Sequence, residues 1–302
     1  MDARVGLVKE VVGSVVNVHA EVASGHPSTA ILGDERMGSG VVIDASGLIL
    51  TVNYVVMGAK RLEVTLGRGR ALRAEIAAQD FDVGLALLRV RRQGLPAVRI
   101  GPSAALARGM PVFALASTGP RERRVAGGVV TYLGEFDAYW EYLLDRAVVT
   151  SAPNPGVGGG GLFTLAGSLV GVVSLNLGEV GRTSLAIPTE CFEDNRQEFL
   201  RYGRVVSRPQ RAWLGLFAEA VEEGVVVAGL VPDGPGARSG VREGDVIVSL
   251  DSREVGSRRE LYRGLWQHGP GERIALEVLR DNELRLVHVT SGDRADFYKQ
   301  IS

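Results

Sequence analysis

The sequence predicts an all-β-dominated chain built from two units, and three observations carry that prediction. Glycine supplies 40 of the 302 residues, about 13% and near twice the usual share, so turns are frequent. Between the glycines lie short runs of β-branched and aliphatic residues. A polar segment without periodicity, "RVVSRPQ", then separates one set of such runs from a second.

In chain order, the first set is "SVVNVHAEV", "GVVIDASGLILTV", "RLEVTLG", "LRAEIAAQ", "GLALLRV", "MPVFALAS", "RRVAGGVVTYL", "SLVGVVSL" and "TSLAIP". Strands this short and this regularly punctuated predict an antiparallel barrel or sandwich rather than a sheet alternating with helices. The stretch "TECFEDNRQEFLRYG" predicts a closing helix, with Thr189 as cap, acidic residues early, Arg201 late and Gly203 after the last turn. The second set is "WLGLFAEAV", "GVVVAGLV", "DVIVSLDS", "RIALEVLR" and "LRLVHVTS", with a helix at "SRRELYRGLWQ". The expected domains are therefore 1–203 and 211–295, joined by a linker at 204–210. The second, at about 85 residues, is short but sufficient to fold independently.

Composition narrows the function classes. A hydrophobic content of 45% is enough for real cores, and 34 basic against 35 acidic residues leave no nucleic-acid footprint and no polybasic membrane patch. The single cysteine, Cys191, has no intrachain disulfide partner and is expected as a buried packing residue. It and the four histidines show no ligand spacing, so neither a metal nor any other cofactor is expected. Asp2 and Glu10 stand where an export signal would have a positive start and an uninterrupted apolar run. No stretch approaches the roughly 18 uncharged apolar residues of a membrane span. The expected location is cytoplasmic if this is the whole protein, and the cell envelope if an export segment precedes it.

Three landmarks occur in order in the first unit: "GSGVVIDASGLILTVNYVV", "DFDVGLALLRV", and "NPGVGGGGLF" followed by "GSLVGVVSLN". Together they resemble the HtrA (Deg) family of trypsin-like serine proteases. The resemblance implies a double six-stranded β-barrel. In the family the first frame carries a histidine general base, the second an aspartate that orients it, and the third a serine nucleophile. Aligned without gaps, Tyr54 falls on the histidine, Gly84 on the aspartate and Gly158 on the serine, at separations of 30 and 74 positions. Asp82 is near enough to Gly84 to substitute under a local shift, but has no imidazole to orient. His19 and His26 precede the frame of the base, and His268 and His288 belong to the second unit.

A serine hydroxyl needs a base within hydrogen-bond reach, and that base needs a third group to hold its tautomer. A phenol is a poor base at neutral pH, and glycine offers nothing to attack or orient. From the sequence the chain is therefore expected to be no enzyme but a pseudoprotease. The alternative is an active HtrA-like endopeptidase that uses an unrecognised constellation. Two readings of Tyr54 stand: a plug in the space of an imidazole, or a contact for bound peptide. Two also stand for "GVGGGG": a tight turn, or a vestigial oxyanion hole in which Gly156 and Gly158 donate their amides.

The second unit resembles a PDZ domain of the type these proteases carry, on "WLGL", "GLVPDGPGARSGVREGDVIVSLDSREV" and "SRRELYRGL". Such domains add a peptide as an extra strand at a sheet edge. The resemblance assigns Leu214, Gly215 and Leu216 to a carboxylate-binding loop. Leu261 and Leu265, four apart on one helix face, either line the pocket for the ligand's last side chain or simply pack the core. Arg211 either adds charge attraction or is a solvated surface arginine. The expected partners are extended or C-terminal peptide segments, and the expected role is scaffold, chaperone-like holder or regulator in protein quality control. By family analogy a homotrimer is also expected.

Overall fold

The computed structural model describes residues 3–67, 69–178, 183–222 and 224–299. Two closed six-stranded barrels occupy the first two-thirds of the chain. The first is formed by β1 (Val15–Val22), β2 (Glu35–Asp44), β3 (Leu48–Val52), β4 (Ala59–Thr65), β5 (Ala71–Asp80) and β6 (Leu85–Val90), closed in the order β1-β2-β3-β6-β5-β4. The second is formed by β7 (Pro111–Ser117), β8 (Arg123–Ala138), β9 (Tyr142–Thr150), β10 (Gly160–Thr164), β11 (Leu169–Leu177) and β12 (Thr183–Pro188), in the order β10-β11-β12-β9-β8-β7.

Closure explains the uninterrupted apolar runs. All of β3 and the first four residues of β6 are buried, because one face fills the barrel while the other is covered from outside. The alternation expected of a half-exposed strand is thus absent where the sequence reads "LILTV" and "LALL".

The remaining sheet runs β13 (Leu216–Val221), β14 (Gly224–Leu230), β15 (Val246–Leu250), β17 (Arg273–Arg280), β18 (Glu283–Thr290), with β16 (Arg253–Glu254) paired to β15. Ala218, Val225, Val227, Ile247, Leu276 and Val278 form its core together with Leu261, Tyr262 and Leu265 of the helix Arg258–Leu265. That helix starts at Ser257, whose side chain accepts from the Glu260 amide, while the Glu260 carboxylate accepts from the Gly256 amide at 2.8 Å. This reciprocal arrangement satisfies donors that a helix start leaves open.

The chain divides into two compact units that are not two contiguous halves. The first extends to Ser24 and includes 32–135 and 144–206; the second includes 25–31, 136–143 and everything from Ser207 onward. The tip of the β8/β9 hairpin therefore belongs with the strands β13–β18.

Local differences from expectation have physical causes. The closing helix is two short ones, Glu190–Glu193 and Arg196–Tyr202, and the Thr189 hydroxyl donates to the Gly101 carbonyl at 2.8 Å instead of capping. Gly203 ends the second with φ of 69° and its amide on the Phe199 carbonyl, as a left-handed terminator does. Cys191 is half-buried rather than buried. A helix over Ala3–Val11 was not foreseen, since its valines favour strand locally.

Candidate functional site

The turn carrying Tyr54 is the short helix Asn53–Val56, which follows β3 directly. Arg36 of β2 fixes it, donating to the carbonyls of Tyr54 and Met57, each at 3.0 Å. The Asn53 amide donates to the Gly84 carbonyl at 2.8 Å, so two of the three altered positions are neighbours across this turn. Gly84 itself has φ of 78°, in the left-handed region where a β-carbon is disfavoured. Beside it, the buried Asp80 carboxylate accepts the amides of Asp82 and Val83 and shapes the turn.

Tyr54 and Gly158 meet. The Tyr54 hydroxyl donates to the Ser174 carbonyl at 2.9 Å, and a β-carbon on Gly158 would lie 1.9 Å from that hydroxyl. Burial pushes the phenol up to about 12, so it stays protonated and remains a donor. Of the two readings of Tyr54, this contact is the structural one.

The glycine run is closely overlaid along its length. A β-carbon at Gly159 would meet the Ser39 carbonyl at 2.1 Å, one at Gly160 the Leu115 carbonyl at 2.5 Å, and one at Gly161 the Phe163 ring at 2.4 Å. Ser39 organises the loop: its amide donates to the Gly158 carbonyl at 2.7 Å and its hydroxyl to the Val157 carbonyl at 2.9 Å. It also accepts the Ser117 amide at 2.8 Å. The Gly156 amide donates to Asn154 Oδ1 at 3.3 Å, which engages one of the two amides assigned to an oxyanion hole. Sequence reasoning did not single out Ser39 or Ser174; the only signal was the serine between two glycines in "GSG".

The histidines lie elsewhere. His19 is on β1 opposite Met37 and Glu63, and His288 is exposed on β18. His268 sits between Asp251 and Glu272, each at 2.9 Å. Buried His26 contacts the Ser28 hydroxyl at 2.6 Å and the Tyr298 carbonyl at 2.8 Å. Among the described residues no cluster of His, Cys, Asp and Glu is placed to hold a metal ion, and no described helix is long and apolar enough to cross a membrane.

In the second unit the loop before β13 faces a carboxylate from the same chain. The amides of Leu214 and Leu216 donate to the two Glu141 oxygens at 3.1 and 2.8 Å, and the Gly215 amide is directed to the same group. Gly215 has φ of 77°, which turns the three amides to one side. Burial raises the Glu141 pKa, against the opposing effect of Arg294 and these amides. Leu261 and Leu265 are buried in the cluster that also holds Leu143 and Leu216. The Arg211 guanidinium stacks over Trp266, 4.2 Å from the ring centroid.

Comparison with known proteins adds the family. The trypsin-like peptidase domain matches residues 38–172 and the PDZ domain residues 212–290. The chain belongs to the HtrA/DegP family of trypsin-like serine proteases that carry a PDZ domain. A probable periplasmic serine endoprotease, DegP-like, of Halomonas elongata is 33% identical over 281 residues, covering 87% of this chain and 58% of that protein. One of the same description from Pseudomonas fluorescens is 31% identical, covering 89% and 58%. The chain thus spans under two-thirds of the length of these curated relatives. Among solved structures, the HtrA-type protease AlgW with a decapeptide is similar at 27% identity and a TM-score of 0.57, covering 96% of this chain and 98% of that one. The serine endoprotease from Yersinia pestis is similar at 25% identity and 0.57, covering 97% and 98%.

These relatives overturn the expectation that the HtrA-like chain is no enzyme. They are named serine endoproteases, and the family points to a protease. That expectation rested on Tyr54, Gly84 and Gly158 and on the placement of Asp82 and the four histidines; side chains read along a sequence describe those positions and do not establish the chemistry of the whole chain.

Proposed function

We propose that this HtrA-family chain recognises extended peptide segments, above all those ending in a free carboxylate, in the groove between β13 and the helix Arg258–Leu265. The observation that supports it most is the donor set: Leu214 and Leu216 amides converge on one carboxylate, and the Ala218 amide, two residues on, donates to a backbone carbonyl at 2.6 Å. Alternate donors along an edge strand, ending in an anion-accepting loop, are what strand addition of a peptide terminus requires. In this reading Leu261 and Leu265 receive the last side chain, and Arg211 braces the groove through Trp266. AlgW, solved with a decapeptide, is a relative in keeping with it. The domain division at 1–203, 204–210 and 211–295 belongs to the same proposal, as does a holding or regulatory role in protein quality control. So does a homotrimer, which light scattering tests.

Titrating a library of C-terminal peptides, each as free acid and as amide, into the full chain tests the groove. Saturable binding confined to the free acids is expected; indifference to the terminal group would sink the proposal.

Endopeptidase action is the second reading, favoured by the names of the relatives. Its reacting groups would come from side chains other than those at positions 54, 84 and 158. Peptide release from unfolded casein that stays with the protein through successive purifications, together with labelling by a fluorophosphonate, is the outcome this reading requires.

A further inference from the structure

The groove just described already holds a segment of this chain. Residues 136–143 lie within the second unit, and several of their contacts are made with β13, the loop before it and the groove helix. The Glu141 carboxylate sits on the Leu214 and Leu216 amides. Two residues back, the Tyr139 carbonyl accepts from Ala218, two residues beyond Leu216 along β13. Residues 139–141 form a turn, and its two contacts with β13, one through a side chain and one through the main chain, are spaced two residues apart on both segments, the spacing at which an added strand would present its acceptors. Leu143 is buried in the apolar cluster with Leu216, Leu261 and Leu265 and supplies the side chain that a terminal residue would bring.

The flanks are equally specific. The Tyr139 ring lies 5.7 Å from Phe217 and meets Trp140 edge-on at 4.9 Å. Asp137 accepts from Arg258 Nε at 2.9 Å and Arg259 Nε at 2.5 Å, at the start of the groove helix. From that helix the Tyr262 hydroxyl donates to the Ala138 carbonyl at 2.7 Å and accepts the Glu141 amide at 3.1 Å. Arg294 donates to the Glu141 carbonyl at 2.7 Å. Glu141 has φ of 54°, a conformation that glutamate adopts rarely and that is held here by contacts on every side.

We infer that residues 137–143 are an internal ligand in which the Glu141 side chain and Leu143 together imitate a carboxy-terminal residue, so that an external peptide binds only by displacing them and does so best when it carries the same chemistry. That chemistry is a free terminal carboxylate on an apolar last residue, aromatic residues one and two before it, and an acidic residue four before it facing Arg258 and Arg259. The inference rests on the groove reading above and adds its regulation and its preferred ligand class. An occupied groove lowers apparent affinity by the fraction of time it stands open, and a tethered competitor holds that fraction small.

The test uses the full chain and a fluorescein-labelled pentapeptide, Asp-Ala-Tyr-Trp-Leu, as free acid and as amide. The free acid should bind Glu141→Ala at least tenfold more tightly than the unchanged chain, with Glu141→Gln in between and the amide binding none of the three. Replacing the peptide's aspartate by alanine should remove most of the gain. In hydrogen exchange without peptide, the Leu214 and Leu216 amides should be slow in the unchanged chain and fast in Glu141→Ala. Circular dichroism checks that both variants fold. Equal, carboxylate-dependent affinity in all three proteins would leave the groove reading intact and overturn the internal ligand. Absence of binding even to Glu141→Ala would remove the groove reading and the internal ligand with it.

Discussion

The Tyr54 hydroxyl fills the space that a β-carbon on Gly158 would need, the two points lying 1.9 Å apart. Glycine at one position and tyrosine at the other are thus complementary halves of one packing solution across the two barrels. The Ser174 carbonyl, which accepts from Tyr54, would itself lie 2.9 Å from that β-carbon, so the tyrosine has little room to retreat without losing its acceptor. Gly158→Ser alone should lower stability by about 2 kcal/mol, as overpacking in a well-filled site does. In a Tyr54→Ala background the same change should cost clearly less, because the phenol is gone and only the contact with the Ser174 carbonyl remains. Denaturant melts of the wild type, both single variants and the double variant measure this coupling; additive losses would contradict it.

Arg123 is a second link between the barrels. It lies on β8 and donates from Nε to the Val15 carbonyl at 2.7 Å, from Nη2 to the Thr65 carbonyl at 2.9 Å and from Nη1 to the Gly119 carbonyl at 3.0 Å. Burial lowers its pKa, but guanidinium has enough reserve to stay charged. Arg123→Ala would strand several carbonyls at once and should lower stability by about 3 kcal/mol. Arg123→Lys should recover only part of this, since a single ammonium does not reach three divergent acceptors. Thermal melts of the two variants should rank wild type, Lys, Ala.

Asp245 gives the second unit a pH dependence of definite sign. Burial raises its pKa, but the two Arg280 hydrogen bonds and the Arg242 amide outweigh burial and hold it below the usual carboxylate range. A folded pKa below the unfolded one contributes stability that is present above the unfolded value, about 3.9, and is lost as pH falls through the folded value. Asp245→Asn should lower stability by about 3 kcal/mol at neutral pH, because Arg280 is left without its buried partner. That gap should narrow on acidification below about pH 4. Urea unfolding monitored across this range would show it, and a gap that widens in acid would refute the assignment.

The Asp245 contact is also where a sequence signature acquires its physical meaning. "GDVI" was legible as part of a PDZ pattern, but the residue it serves, Arg280, lies 35 positions away on β17. The barrels were legible for a different reason: glycine-bounded aliphatic runs are local signals, and the runs quoted above fall on β1 to β8 and on β11 and β12, while β9 and β10, one carrying charges and the other following the glycine run, were not read. Tyr54, Gly84 and Gly158 were legible as positions, yet the contact between a phenol and a missing β-carbon is not a property of either stretch alone. The Glu141 contact left the faintest trace. "EFDAYWEYLLD" breaks the alternation of a strand by interleaving four aromatics with four acids, which is odd for a solvent-facing hairpin tip, but nothing in it names Leu214 and Leu216 as the acceptors' partners. Contacts between a turn and a loop about 75 positions apart are set by tertiary placement, which composition and periodicity do not encode.

Tyr262 offers a way to loosen that contact without touching Glu141. Its ring is fully buried and stacks on Trp266 at 5.6 Å, so Tyr262→Phe keeps the packing and removes only the hydroxyl. The hydroxyl both donates to the Ala138 carbonyl and accepts the Glu141 amide, two bonds that join the hairpin tip to the groove helix. Burial and the nearby Glu141 carboxylate both push the phenol up, so it remains protonated and both bonds persist across the pH range of the folded protein. Loss of the two should cost about 2 kcal/mol of tip docking, counting each near the usual net value. Global stability should fall by less than that, because the tip can release while the sheet β13–β18 stays folded. Hydrogen exchange separates the two effects: the Glu141, Leu214 and Leu216 amides should speed up in Tyr262→Phe, while amides between β15 and β17 keep their protection. Uniform acceleration throughout the unit would mean that the hydroxyl supports the fold as a whole and not the docked tip.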